Sequence, residues 1–250
     1  MLGVVVVLLG SGKVLGQEAL PANSLAVPFS TSGSSGGWSW SGLRNTSGTN
    51  FAVMDGVGDN IVVFTTGADR IVFNLAAQNT PAGNLRVYNS NSATNWGTSI
   101  SSTALVAGIN TTVSLDLDPA KPYVKIVRET SSTGRIQLTD IYLLGNDKCA
   151  NATNITVGAP ALSGHITGAG VEVSSGTYND VWYKFTAACS GSYTINLTGF
   201  IGDKNLSYFA SPCPTTNNPL GSSTSTSSSE SITANLSAGQ VYYIRVYDVS

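Results

Sequence analysis

The stretch YNDVWYKFTA, residues 178–187, decides the fold. In an extended chain successive side chains point to opposite faces, so Val181, Tyr183 and Phe185 share one face and Trp182 and Lys184 the other. The next segment, SYTINLTGF, repeats the pattern with Tyr193, Ile195 and Leu197. Neighbouring strands with aligned apolar faces are what the core of a β-sandwich requires. The cluster of aromatics therefore reads as core rather than as the wall of an active site, with Trp182 the exception because it lies on the opposite face.

Working outward, the same period recurs. Towards the C-terminus, SITANL alternates Ile232, Ala234 and Leu236, and a turn, SAGQ, leads into VYYIRVYDV. The run GSSTSTSSSES has the composition of a linker, yet it stands between strand-like segments and reads as a polar loop or edge strand. Towards the N-terminus, GDNIVVFTT offers Ile61 and Val63, and DRIVFNLAA offers Ile71, Phe73 and Leu75. TTVSLDLDP sets Val113, Leu115 and Leu117 against Ser114, Asp116 and Asp118, and PYVKIVRE and RIQLTDIYLLG complete the series. The turn signals TTGADR, NTPAGN, NSNSATN and SSTG separate them. No helical period appears. Alternation breaks at LLGNDKCANATN and then restarts, which predicts an all-β chain of two tandem antiparallel β-sandwich, jelly-roll-like domains, residues 17–145 and 146–250.

Composition agrees. Only 10% of the 250 residues are charged, against ~25% in typical soluble proteins, and polarity comes from Ser, Thr and Asn. The formal net charge of −2 offers no basic field, so nucleic acid is not an expected partner. Hydrophobic residues at 42% are enough for real cores and exclude wholesale disorder. The opening MLGVVVVLLGSGKVLG reads as a signal peptide, residues 1–16, with Val14 and Gly16 at the −3 and −1 positions before Gln17. No basic residue precedes its apolar run. The run is shorter than a spanning helix needs, and no other stretch is apolar enough to cross a membrane. Export is expected. Three cysteines, Cys149, Cys189 and Cys213, leave at least one without an intrachain partner, and their spacing matches no zinc pattern.

The strings NDKCANATNITVG, NDVWYKFTA, FASPC and LSAGQVYYIRVYD, in that order, resemble the pre-peptidase C-terminal-like domains of secreted bacterial proteins, especially those exported by type IX secretion. The resemblance covers about residues 146–250 and implies a non-catalytic β-sandwich of the kind found beside peptidases, nucleases and glycan-active enzymes. It also implies a further turn and closing strand after Ser250, hence an expectation that the chain is the N-terminal part of a longer protein. The first half, through GWSWSG, GDNIVV and RIQLTDIYL, is similar to jelly-roll, carbohydrate-binding-like modules of the same exported proteins.

Candidate chemistry is sparse. His165, in SGHITG, is the single histidine, so every Ser–His or Cys–His pair would need it, and a Gly-rich turn is a poor place for one. Asp116 and Asp118 lie two apart on a strand, at a spacing of about 6–7 Å along the chain, but on the polar face of a regular half-buried strand. Asp140 breaks the phase of RIQLTDIYLL: it follows Ile136 and Leu138 inward, whereas Ile141 and Leu143 take the other parity. Either a bulge or an inward carboxylate must result. With Asp55 and Asp59 of MDGVGDN it forms the candidate ligand set for a structural calcium, against the plainer reading of a carboxylate satisfied by backbone N–H groups. No cofactor is required. Trp38, Trp40, Tyr88 and Trp96, in or beside loops, are the candidate ligand-binding residues, since indole and phenol faces stack on sugar rings; the alternative for Trp38 and Trp40 is that they plug the end of the core. The seven Asn-X-Ser/Thr sequons follow from the abundance of those residue types.

The sequence therefore predicts the non-catalytic portion of a secreted or cell-surface bacterial multidomain protein, serving adhesion or accessory binding to a polysaccharide or surface glycan. The alternatives are modules appended to a secreted hydrolase whose catalytic domain lies beyond residue 250, and a structural spacer of a surface filament.

Overall fold

The computed structural model describes residues 3–9, 17–19, 32–35, 37–44, 52–65, 67–130, 133–164, 166, 169–172, 178–200 and 202–249. His165, Asn45, Val173 and the expected cleavage site at residues 14–16 lie outside them. The described chain is built of strands, with one short 3-10 turn at Cys149–Asn151 and no α-helix among the described residues. The all-β expectation holds. The chain divides into two compact units, Glu18–Leu143 and a second formed by Leu144–Ser250 together with Met1–Gln17.

Strand β1 (Gly3–Leu9) belongs to that second unit; β2 (Gln17–Ala19) joins a sheet of the first. The first unit continues with β3 (Ser32–Ser35), β4 (Trp38–Ser41), β5 (Ala52–Met54), β6 (Asn60–Phe64), β7 (Arg70–Gln78), β8 (Asn84–Ser90), β9 (Ser101–Ala104), β10 (Asn110–Asp116), β11 (Tyr123–Arg128) and β12 (Arg135–Leu144). A five-stranded sheet runs β10-β7-β12-β2 with β5 also on β12, and a six-stranded sheet runs β3-β4-β6-β11-β8-β9. Their inner faces meet in one core. Ile71, Phe73, Leu75, Ile136 and Leu138 come from the first sheet, and Trp38, Ile61, Val63, Leu85, Val87, Val124 and Ile126 from the second. These are the period-two positions of the sequence, and burying each large apolar side chain contributes roughly 1.5–3 kcal/mol.

The phase break in β12 is a bulge. Asp140 has φ of +49°, its side chain is exposed, and Ile141 and Leu143 return to the core. A left-handed residue inserted in the strand lets both apolar segments face inward. At the end of this sandwich Arg128, fully buried, acts as a pin. Its Nη1 donates to the carbonyls of Met54 and Gly134, both at 3.0 Å, and its Nη2 to Thr133 O at 2.6 Å. Gly134 is required in the turn so gathered: its φ is +66°, and a Cβ would sit 2.5 Å from Pro81 N.

The second unit adds β13 (Thr153–Asn154), β14 (Leu162–Gly164), β15 (Asp180–Thr186), β16 (Gly191–Thr198), β17 (Lys204–Ala210), β18 (Gly221–Ser223), β19 (Ser229–Leu236) and β20 (Val241–Asp248). One sheet runs β14-β1-β16-β19 and the other β13-β15-β20-β17-β18. The backbone of β1 pairs in parallel with β16, Gly3 opposite Tyr193 through Leu8 opposite Thr198. Val181, Tyr183, Phe185, Tyr193, Ile195 and Leu197 are buried as the alternation requires, and the Phe185 ring lies 6.0 Å from Tyr193 and 5.9 Å from Tyr242. Trp182, on the other face, is buried too, for a different reason. It packs on Phe209 at 5.6 Å and beside Cys149, whose disulfide to Cys213 ties the start of this unit to the loop after β17. Cys189 is the free thiol. The serine-rich run folds around Glu230, whose Oε2 accepts from Ser223 Oγ and from Ser225 N, so it is a structured loop and not a linker.

Candidate functional site

The outer face of the six-stranded sheet carries the most distinctive arrangement of side chains in the first unit. In β6, β8 and β11 the inward positions are taken by Ile61, Val63, Leu85, Val87, Val124 and Ile126, so Val62, Phe64, Arg86, Tyr88, Tyr123 and Lys125 face outward. The register sets them in rows: Phe64 opposite Tyr123 and Ser90, then Val62 opposite Lys125 and Tyr88. Phe64 and Tyr123 pack edge to face at 5.2 Å, and Phe64 is 47% exposed. On β8, the strand beside Tyr123, Tyr88 packs edge to face on Trp96 at 6.4 Å. Lys125 lies in the middle row, its Nζ 5.3 Å from the Trp96 ring and 5.9 Å from the Tyr88 ring. Tyr123 and Tyr88 are diagonal neighbours on adjacent strands, about 7–8 Å apart, so the two aromatic pairs stand side by side within reach of successive rings of one sugar chain.

The surroundings hold this face in place. Trp96 sits in the loop after β8, which the hydroxyl of Ser90 ties down by donating to Asn95 O at 2.7 Å, while Ser92 Oγ accepts from Asn95 N at 3.1 Å. Asn89 donates to Lys121 O at 2.8 Å and accepts from Asp118 N at 2.7 Å, fixing the approach to β11. The Tyr88 hydroxyl donates to Glu129, and Glu129 pairs with Arg86 at 2.9 Å. That hydrogen bond, and then burial, push the Tyr88 phenol above its ordinary range.

Of the residues singled out by sequence, Tyr88 and Trp96 are brought together here. Trp38 and Trp40 are not. They pair with Val63 and Ile61 and share their inward face; Trp38 is 2% exposed in the core, and Trp40 packs against that core half-buried. Phe64, Tyr123 and Lys125 were missed by the sequence reading. The signal was present: each occupies the polar-face parity of an alternating strand, where an exposed ring needs a reason.

The calcium ligand set does not assemble. Asp55 is held by Arg44 at 3.1 Å, with Arg135 at 3.9 Å. Asp59, buried, accepts from the N–H groups of Asp55 and Gly56 at 2.8 and 2.6 Å. Burial raises its carboxyl from the ordinary value against the pull of those N–H groups. Asp140 lies four residues along β12 from Ile136, the partner of Met54, hence about 13 Å away. It accepts from Asn74 at 2.8 Å on the outer face. Arginines already match the charge of the Asp55–Asp59 turn, and the described residues contain no group of three or more His, Cys, Asp or Glu able to hold a metal. These residues do not fit a calcium ion, for the ordinary reason that each carboxylate already has donors. Asp116 and Asp118 are likewise engaged separately, with Arg70 at 2.7 Å and Lys121 at 3.5 Å.

Residues 145–250 match a family described as galactose binding domain-like and associated with type IX secretion (T9SS). The sequence reading named another family for this segment, yet the same secretion association. Among solved structures the chain is similar to the K3 cleaved adhesin domain of Lys-gingipain from Porphyromonas gingivalis, at 16% identity over 52% of this chain and 91% of that one, with a TM-score of 0.35. It is similar to a family 29 carbohydrate binding module at 11% identity, over 52% and 88%, with a TM-score of 0.37. It is similar also to the secreted serine protease VesC from Vibrio cholerae at 14% identity, over 43% and 24%, with a TM-score of 0.33. Likenesses of this size say nothing about ligand or activity. No curated protein matches the chain.

Proposed function

We propose that the chain is a non-catalytic part of an exported bacterial protein, and that the outer face of β6, β11 and β8 is its contact surface for a polysaccharide. The observation that carries this is the pair of aromatic clusters, Phe64 with Tyr123 and Tyr88 with Trp96, side by side on the outward face of neighbouring strands. Rings held on a sheet offer apolar area at low entropic cost to the C–H faces of sugars, and two clusters side by side suit successive units of a polymer. Export is supported by the secretion-associated match of residues 145–250. On this reading the second unit is a galactose-binding-like accessory sandwich. Its Asp180–Arg245 pair, at 2.7 Å, is wholly buried and serves packing.

The test is retention of the chain by insoluble or gel-embedded polysaccharides. Trp96→Ala and Tyr123→Ala are expected to weaken retention roughly tenfold each, about 1–1.5 kcal/mol per lost stacking contact, with the fold intact by circular dichroism. Absence of retention on every polymer tried, or variants indistinguishable from the parent, would sink the reading.

A further inference from the structure

The six-stranded sheet is one-sided in charge. Its strands contain Arg86, Lys125 and Arg128 and not one Asp or Glu, in a chain whose formal net charge is −2. Arg128 points inward and is spent on backbone carbonyls. Arg86 is matched by Glu129 at 2.9 Å. Lys125 differs: among the described residues its head group meets the rings of Tyr88 and Trp96 and no carboxylate. The other acid near this face, Asp118, is paired with Lys121 at 3.5 Å. The central row of the aromatic face therefore carries one uncompensated cation, held beside the rings on which a sugar would stack.

We propose that the polysaccharide is acidic: an anionic substituent, a uronate carboxylate or a sulfate ester, accepts from Lys125 Nζ while flanking sugar rings stack on Trp96 and on the Phe64–Tyr123 pair. This rests on the reading of the face as a polysaccharide surface and adds the charge of the ligand. The physical basis is complementarity. A neutral glycan would leave the ammonium where water or a ring already satisfies it, whereas an anion on the polymer makes a charge-assisted hydrogen bond there, about twice as strong as a neutral one. The acids beside that face, Glu129 and Asp118, are each paired with a cation, Arg86 and Lys121, which weakens their repulsion of a polyanion.

The experiment is affinity electrophoresis of the full chain through gels containing polygalacturonate or alginate (carboxylate), a carrageenan (sulfate) and the neutral polymers glucomannan and xylan, with a single-stranded oligonucleotide as competitor. The acidic polymers are expected to retain the chain at least roughly tenfold more strongly than the neutral ones, as one charge-assisted bond implies, with retention falling as salt rises. The carboxylate and sulfate arms identify the substituent. Lys125→Gln should abolish the preference for acidic polymers and leave any weak retention on neutral ones, and Lys125→Arg should restore most of it. Equal retention on acidic and neutral polymers, or no effect of Lys125→Gln, overturns the acidic ligand, while Trp96→Ala still reports on the polysaccharide surface itself. Tighter binding of the oligonucleotide than of any glycan overturns it as well. Failure of every polymer to retain the chain overturns both.

Discussion

Trp38 and Trp96 are the same residue type in similar Ser-, Asn- and Gly-rich surroundings, and the structure gives them opposite work. Trp38 stands opposite Val63 and is sealed in the core, whereas Trp96 stands on the far side of the same sheet against Tyr88 and Lys125. Truncating the first leaves a cavity; truncating the second leaves solvent. Trp38→Ala is expected to lower stability by about 3–5 kcal/mol, measured as a fall in the urea midpoint at unchanged slope. Trp96→Ala should move that midpoint by no more than about 0.5 kcal/mol while abolishing most polymer retention. The Asp180–Arg245 pair makes the same point for charge. Trp182 Nε1 and Arg245 both donate to the Asp180 carboxylate, which burial raises from its ordinary range against the pull of Arg245. Such a pair fixes geometry more than it adds stability.

Among elements, β12 shows how a strand reconciles two apolar phases. Ile136 and Leu138 have one parity, Ile141 and Leu143 the other, and the left-handed Asp140 between them absorbs the extra residue. Asp tolerates that backbone better than most side chains, and Asn74 Nδ2 donates to its carboxylate from β7. Asp140→Asn should therefore be tolerated within about 0.5 kcal/mol. Asp140→Val, β-branched where φ is positive, should cost about 1–2 kcal/mol. Equal denaturation midpoints for both variants would count against the bulge. The disulfide acts at the same scale. Cys149 and Cys213 are 64 residues apart, so their bond closes a long loop of the unfolded chain and also supplies the surface on which Trp182 packs.

For the molecule as a whole, the clearest handle is pH. Tyr183 is fully buried at the centre of the second unit, and burial pushes its phenol up to about 12. Its folded value is thus above the unfolded value near 10. The folded state holds the proton more tightly, so this contribution is intact below pH 10 and is lost as pH rises from 10 towards 12. The urea midpoint of the second unit's transition should stay level from pH 7 to 9 and then fall, by an amount of order 2–3 kcal/mol if Tyr183 alone is responsible. Tyr183→Phe should flatten that fall. An unchanged alkaline slope in the variant would assign it elsewhere.

The sequence by itself determined the class of this protein. Alternation with period two, bounded by turn residues and free of helical spacing, marked Ile61, Val63, Tyr183, Ile195 and their neighbours as inward-facing, and the structure buries them. Strand parity is a local property, set by backbone geometry, and needs no knowledge of partners. The even spread of aromatics over loops and strands did not reveal which of them a sheet would bring together. Phe64 and Tyr123 meet through the pairing of β6 and β11, across 59 residues of chain, whereas Trp96 is folded back onto Tyr88 by the loop after β8; only the pairing of β8 with β11 sets the two clusters side by side. The partners of the three acids thought to hold a cation were equally invisible, because Arg44, Arg135 and Asn74 arrive from other strands and turns. Which side of a strand is apolar is written in consecutive residues. Which strands are neighbours, and so which side chains share a surface, is decided only when two sheets close on a common core.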